Sequence, residues 1–384
     1  MVDKANIKIL MASVFLATVG YGLSFPFFTI LLEYKQYSSM AIGLNASMPA
    51  LGWIIASLLL PKLHARYGTR SLILMFLVVS LLGLIGFSIS GSFVVWLGCR
   101  LLFGGGLGMF FRTIEYYLNS IVSSSQRGRV LGLYFTTFLV GIVIGSLLQP
   151  LFSISSLSPY IFILVCLICS ACCLSRANVD NSRALEASSQ LYFSFNLIKK
   201  LYATVPIAFI GIFVYGLTES VPLFSMPIYA LKLGMDQATA AYTVTALVLG
   251  SIIFAYPLGM SSDKVGRYPL LLGCTLGSML CFLLIPKFFI QPPLFFFLLL
   301  TAGGCLGGIY FLSLSIMGDK YDSSSLVYAN AVFGIVYAAG SLIGPILHGT
   351  AMQLYVPHGM IFSVLLVLML FMAFTSYILS RSKV

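Results

Sequence analysis

The sequence predicts an all-α membrane protein: twelve transmembrane helices arranged as two six-helix bundles related by a parallel pseudo-two-fold repeat. Three observations predict it. Apolar residues make up 60% of the 384 and charged residues only 8%, where a soluble globular chain carries about 25% charged residues. Apolar stretches long enough to cross a bilayer recur twelve times. Segments of the first half also return, in order, in the second. So little charge cannot cover a body of this size in water, which excludes a soluble enzyme, a nucleic-acid binder and a disordered scaffold.

A bilayer core about 30 Å thick takes roughly 20 apolar residues per helix. The stretches that meet this lie at about 7–32, 41–60, 71–90, 93–119, 130–150 and 158–175 in the first half. In the second half they lie at about 204–231, 238–258, 269–286, 293–317, 326–347 and 358–379. Ser90, Gly91 and Ser92 make a short hairpin between spans three and four, and Gln291, Pro292 and Pro293 open span ten. The first stretch follows Lys4 and Lys8 but is too long for the apolar core of a secretory signal. It is taken as span one.

The net charge of +11 is an orientation signal. With the N-terminus inside, sixteen of the 21 Lys and Arg fall on the inner side, Lys62, Arg66 and Arg70 among them. The outer segments hold only Lys35, Lys232 and Lys287. The positive-inside rule then places both termini in the cytoplasm of a multi-pass protein of the cell inner (plasma) membrane.

The longest hydrophilic stretch, 176–203, divides the chain into a first bundle (1–175), a cytoplasmic linker and a second bundle (204–384). Tyr21, Gly22, Leu23 and Ser24 return 194 residues later as Tyr215, Gly216, Leu217 and Thr218. The glycine run of span four, Gly104 to Gly108, returns 199 later as Gly303 to Gly307, and Gly141 with Gly145 returns at the same offset as Gly340 with Gly344. Both copies start from the same side, so the repeat is parallel, about an axis along the membrane normal. Two such bundles place a cavity near the midplane that rocking opens to either side. That is the architecture of secondary active transport, with no cofactor required.

These residues resemble the major facilitator superfamily over essentially the whole chain. Its marker, Gly-x-x-x-Asp-x-x-Gly-Arg between the second and third spans of a half, stands here as Gly259, Asp263, Gly266 and Arg267. The resemblance implies a gating latch formed there by the Asp and Arg. The first-half copy runs from Pro61 to Arg70 with Ala65 in place of the Asp, so no carboxylate latch forms in it. Arg100, Phe103, Gly104 and Gly106 are similar to the Arg-x-x-Gln-Gly-x-Gly run of drug/proton antiporters. Gly132, Gly141 and Gly145 have the glycine spacing of the antiporter motif, with Ser146 where it has Pro. The Gly-Pro pair itself stands in span eleven as Gly344 and Pro345. Glu115 and Asn119 also resemble a Glu-x-x-Leu-Asn run of that branch.

Ionisable groups at bilayer depth are costly and mark function. Four are expected inside spans: Arg100, Arg112, Glu115 and Glu219. Glu219 lies mid-span, beside Gly216, Pro222 and Pro227, which permit a bent or broken helix. Its repeat counterpart is Phe25. A carboxylate so placed can exchange a proton. Arg100 cannot shed its charge, so it is expected to face a cavity and a partner; the resemblance implies that it takes part in proton coupling. Glu115 is a third candidate for proton coupling, although Arg112 at i, i+3 can pair with it. Tyr21, Tyr134, Tyr215, Tyr242, Tyr310 and Tyr337 lie in the spans that line the cavity in the superfamily, and are expected to offer hydroxyls to substrate.

Cys166, Cys169, Cys172 and Cys173 invite a metal reading, but no His or acid accompanies them and no metal site is expected. His64 falls in an inner loop; His348 and His358 fall near the outer end, where His348 reads as a polar helix end or a sensor of external pH. No phosphate-binding loop or catalytic set is present, so the chain is not expected to be an enzyme or to use ATP. The leading expectation is proton-coupled export of an amphipathic small molecule, by a monomer whose other partners are protons and lipid. Import of a metabolite or chelate is the alternative, and a non-transporting sensor or assembly factor the third.

Overall fold

The structure, a computed structural model, describes residues 4–122, 124–179, 201–321 and 323–381. Most of the expected linker, 180–200, lies outside the described residues. All regular elements among the described residues are helical, with no strand. Among the described residues, twelve helices are long and apolar enough to cross a membrane. Spans one to six are Asn6–Tyr34, Ser39–Leu60, Arg66–Ile89, Phe93–Leu118, Arg129–Leu151 and Ser158–Ser175. Spans seven to twelve are Pro206–Lys232, Gln237–Val265, Arg267–Phe288, Pro292–Lys320, Tyr328–Leu354 and Gly359–Arg381.

Two boundaries differ from the sequence reading. Span eight continues past its expected end through Ser261, Ser262, Asp263 and Lys264 to Val265, because nothing in that polar stretch stops a helix. The stop is Gly266, whose φ of 92° lets the chain reverse on one residue before Arg267 opens span nine. In the first half a helical run covers Ser39–Ile89, with Gly68 at φ 73° as its internal break. Only glycine adopts that backbone region without strain. The loops expected between these spans are therefore one-residue reversals.

Span seven is broken where its prolines predict. An α-helix runs from Pro206 to Ser220, a π-helical turn from Val221 to Ser225, and an α-helix resumes from Met226 to Lys232. Pro222 has no N–H to give the preceding turn, and the wider register accommodates the loss.

By contact density the chain divides into two compact units, residues 1–31 with 48–191 and residues 32–47 with 192–384. In the first, spans one and six are joined by Ser13 and Ser170, whose hydroxyls lie 2.9 Å apart. Asn6 and Asn178 exchange two hydrogen bonds of 2.8 Å. The glycines of the repeat close the helix seams. A Cβ on Gly22 or Gly145 would overlap the backbone of the facing span at Ile142 or Val19. In the second unit a Cβ on Gly216 or Gly344 would do the same at Tyr337 or Leu217. Small residues let backbones meet this closely in lipid, where packing rather than the hydrophobic effect holds helices together. Segment 32–47 is strapped into the second unit by Glu33, whose carboxylate accepts from Lys232 at 2.8 Å. The Met40 N–H donates to Gln353 Oε1 at 3.3 Å.

Candidate functional site in the second six-span unit

The break in span seven places Glu219 one residue before the end of its first α-helical segment. Span eleven brings two donors to that carboxylate: the Tyr337 hydroxyl donates to Oε2, and Ser341 Oγ donates to the same oxygen at 3.4 Å. They are spaced i, i+4, so one face of span eleven carries both. Tyr215, one turn back on span seven, is a third donor. Its ring lies 5.0 Å from that of Tyr310 in span ten and 6.1 Å from that of Tyr337, stacked on the latter at 21°. Phe333 closes on Tyr310 at 6.0 Å. Glu219 is half-buried, not sealed. The result is a carboxylate in a wall of three tyrosines. It can accept and release a proton, and its aromatic faces can hold an apolar or cationic body.

The other tyrosines fall elsewhere. Tyr134 is 2% exposed and its hydroxyl is committed to the Phe111 carbonyl at 2.8 Å, which ties span five to span four. Tyr21 packs among Phe25, Phe103 and Phe111 in the first unit. Tyr242 lies on the surface of the second unit, 39% exposed.

Arg100 does not stand open to a cavity as the sequence reading expected. It is 1% exposed, with its guanidinium carbon 4.6 Å above the Phe28 ring and 5.9 Å from Phe103. A weakly hydrated planar cation tolerates aromatic faces better than an ammonium does, and the rings of spans one and four supply them. Glu115 pairs with Arg112 at 3.3 Å on the surface of span four, while Arg112 lies 5.2 Å over Trp53.

At the span eight to nine reversal, Arg267 Nε reaches Asp319 Oδ2 at 2.5 Å, at the end of span ten. Asp263 is exposed in the last turn of span eight. Ser262, Asp263, Gly266, Arg267 and Asp319 line a pocket of about 380 Å³ there. Gly266 is required by its backbone, whereas a Cβ on Gly259 would meet open space. In the first unit the matching reversal is held by His64 Nε2 and Thr69 Oγ1 at 3.0 Å. Burial holds the His64 imidazole below the ordinary histidine value. Arg70 donates to the Ser175 carbonyl at 3.0 Å.

His348 is not at an exposed helix end. It is fully buried in span eleven, bonded to the Leu217 carbonyl and to Ser363. Of the span-six cysteines, Cys166 packs against Gly20 while Cys169 and Cys172 are exposed. Sequence reasoning missed Ser341, Asp319 and the Glu33–Lys232 pair. Ser341 was detectable as the i+4 neighbour of Tyr337; the other two pair across long sequence distances and leave no local signal.

The sequence profile of the Major Facilitator Superfamily matches residues 10–206 and 208–383. The chain belongs to the major facilitator superfamily. The MFS-type transporter YfkF of Bacillus subtilis (strain 168) is 31% identical over 358 residues, covering 90% of this chain and 88% of the relative. The MFS-type transporter YcaD of Escherichia coli O9:H4 (strain HS) is 24% identical over 351 residues, covering 90% and 89%. Among solved structures, the nucleoside transporter NupG matches with a TM-score of 0.74 at 14% identity, over 97% of this chain and 96% of that one. A D-xylose-proton symporter matches with a TM-score of 0.74 at 13% identity, over 97% of both. At such identities the likeness is one of fold. This superfamily member is therefore a multi-pass transporter of twelve spans, and its relatives are named as transporters, not enzymes.

Proposed function

We propose that the chain is a proton-coupled secondary transporter, nearest the drug/proton antiporter branch, which exports an amphipathic cationic or neutral small molecule by alternating access. The observation that carries this reading is the Glu219 carboxylate, bonded by Tyr337, Ser341 and Tyr215 at the break in span seven. An ionised carboxylate there attracts a cation and is stabilised by its three donors; a protonated one is neutral and does not attract the cation. Proton and substrate then exclude each other, which is the requirement of antiport. Alternating access opens this site to one side of the membrane and then the other, with both termini in the cytoplasm of the inner membrane as the Lys and Arg distribution argues. Arg267 with Asp319 and Asp263 forms the gating point at the inner reversal. Arg100 holds the span-one to span-four packing of the first half and takes its part in coupling through that packing. Glu115 is left out, since Arg112 already holds it.

A second reading is proton-driven import of a polar metabolite. The hydroxyls of Tyr215, Tyr310 and Tyr337 favour it, because they match the hydroxyls of a sugar or nucleoside. Purified protein in proteoliposomes under an imposed pH gradient separates the two. Tetraphenylphosphonium, xylose and uridine are the probes, with Glu219→Gln beside the wild type. Export driven by the gradient and lost in the variant is the expected result. Gradient-driven flux that Glu219→Gln leaves unchanged removes Glu219 from the mechanism.

A further inference from the structure

His348 is buried in span eleven with both ring nitrogens engaged, and nothing in the reading above uses it. Nε2 lies 3.1 Å from the Leu217 carbonyl oxygen, and Nδ1 lies 2.7 Å from Ser363 Oγ in span twelve. A carbonyl only accepts, so Nε2 carries a hydrogen. The Leu217 carbonyl takes that hydrogen beside a second one, from Ser220 Oγ at 3.0 Å, and neither comes from the backbone. The Val221 N–H turns to the Thr218 carbonyl, and in the π register the residue that would serve position 217 is Pro222, which has no N–H. His348 thus caps the break in span seven, two residues from Glu219.

The other nitrogen is where the two protonation states differ. Ser363 Oγ also lies 2.7 Å from the Met360 carbonyl, to which it donates. With the Ser363 hydrogen on Met360, Nδ1 must donate to Ser363, and the ring is doubly protonated. When the ring is neutral, Ser363 turns its hydrogen to Nδ1. Both nitrogens are bonded in either state, and one hydroxyl rotation separates the two.

We propose that His348 is a second proton-binding site of this bundle, with Nε2–H fixed on the span-seven break and Nδ1 taking the proton against Ser363. Its use in coupling rests on the reading of Glu219 above; the binding of the proton does not. The titratable groups on the elements around it are few. Span seven contributes Tyr215, Glu219, Tyr229 and Lys232, and its π-helical turn none. Span twelve has Tyr377 and Arg381 at its far end, span ten has Cys305, Tyr310, Asp319 and Lys320, and segment 32–47 has Glu33, Tyr34, Lys35 and Tyr37. Span eleven itself adds Tyr328 and Tyr337. Glu219 is the acid nearest along the chain to the carbonyl that His348 holds. A proton on His348 therefore alters the same break that positions the carboxylate.

The test is nitrogen NMR on protein labelled at its three histidines, in lipid nanodiscs, with no transported substrate present. His348→Gln identifies the signals and keeps both hydrogen bonds, because a Gln amide donates to Leu217 and accepts from Ser363. The expected result is a His348 ring that passes from one bound hydrogen to two between about pH 9 and pH 4. Ser363→Ala removes the acceptor for Nδ1–H and lowers the doubly protonated fraction about tenfold at a given pH. A ring that keeps one hydrogen throughout, or a titration whose midpoint Ser363→Ala does not move, overturns the proposal. If Glu219→Gln abolishes coupled flux while His348 never titrates, this inference fails and the transport reading stands. If His348 titrates while Glu219→Gln changes nothing, the reverse holds.

Discussion

Spans one and five of the first half meet as spans seven and eleven of the second half do, on matching glycines: Gly22 and Gly145 in one seam, Gly216 and Gly344 in the other. The ring packing is repeated as well. Tyr21 and Phe111 lie 5.9 Å apart, and their counterparts Tyr215 and Tyr310 lie 5.0 Å apart. What differs is the chemistry laid over that frame. At the repeat offsets of 194 and 199, Glu219, Tyr337, Ser341 and His348 correspond to Phe25, Phe138, Ile142 and Gln149. The first seam is aromatic, with Phe111 edge-on to Phe138 at 5.0 Å, while the second holds a carboxylate with its donors. The buried charge of the first unit, Arg100, stands where the second unit has Leu299. Duplication supplied the packing, and each half acquired its own ionisable group where it departs from the copy.

The largest effect should come from the shared frame. Gly145→Val and Gly344→Val each drive a side chain into the facing backbone, at a cost on the order of 3 kcal/mol. Thermal melting and size-exclusion profiles should show both variants losing most of their folded material, to a similar degree. One seam tolerating the change would mean that the glycine frames are not equivalent.

The next effect should be confined to one half. Tyr337→Phe removes a donor to a carboxylate, an interaction worth roughly 1.5–3 kcal/mol. Gradient-driven tetraphenylphosphonium flux should fall about tenfold or more. Phe138→Tyr, the mirror change in the first half, should leave flux near the wild-type rate. A loss in both would place substrate against the first seam too, and the contrast between the halves would go.

Most of the architecture was legible in the sequence, because lipid imposes a simple rule on a helix and charge scarcity makes exceptions visible. The twelve spans, the break at Pro222 and the mid-span Glu219 were read from composition and local pattern. The partners of Glu219 were legible in part: Tyr215 and Tyr337 were named as tyrosines in the right spans, yet nothing local showed that span eleven turns Tyr337 and Ser341 to one oxygen. Arg100 was expected to face a cavity, and nothing local showed that it would be buried with Phe28 and Phe103 against its guanidinium. His348 was read as a helix end from its sequence position, while span eleven continues to Leu354 and buries it. Rotation about a helix axis decides each of these, and Gly-rich spans with apolar residues on every side carry little information about rotation.

The smallest expected effect sharpens the comparison of the charges themselves. Glu115 and Glu219 are both acids within spans, and a list by depth alone sets them side by side. Glu115, however, is joined to Arg112 at i, i+3, with side chains 26% and 45% exposed. Such a helical pair contributes about 0.2–0.5 kcal/mol, and water or headgroups can replace what is lost. Glu115→Gln should therefore change flux and melting by no more than about a factor of two in rate and little in stability. Glu219→Gln, which leaves Tyr337, Ser341 and Tyr215 facing an amide, should stop coupled flux. A Glu115→Gln variant as inactive as Glu219→Gln would show that the first half carries a proton too, and that its aromatic seam is not the inert copy it is taken to be.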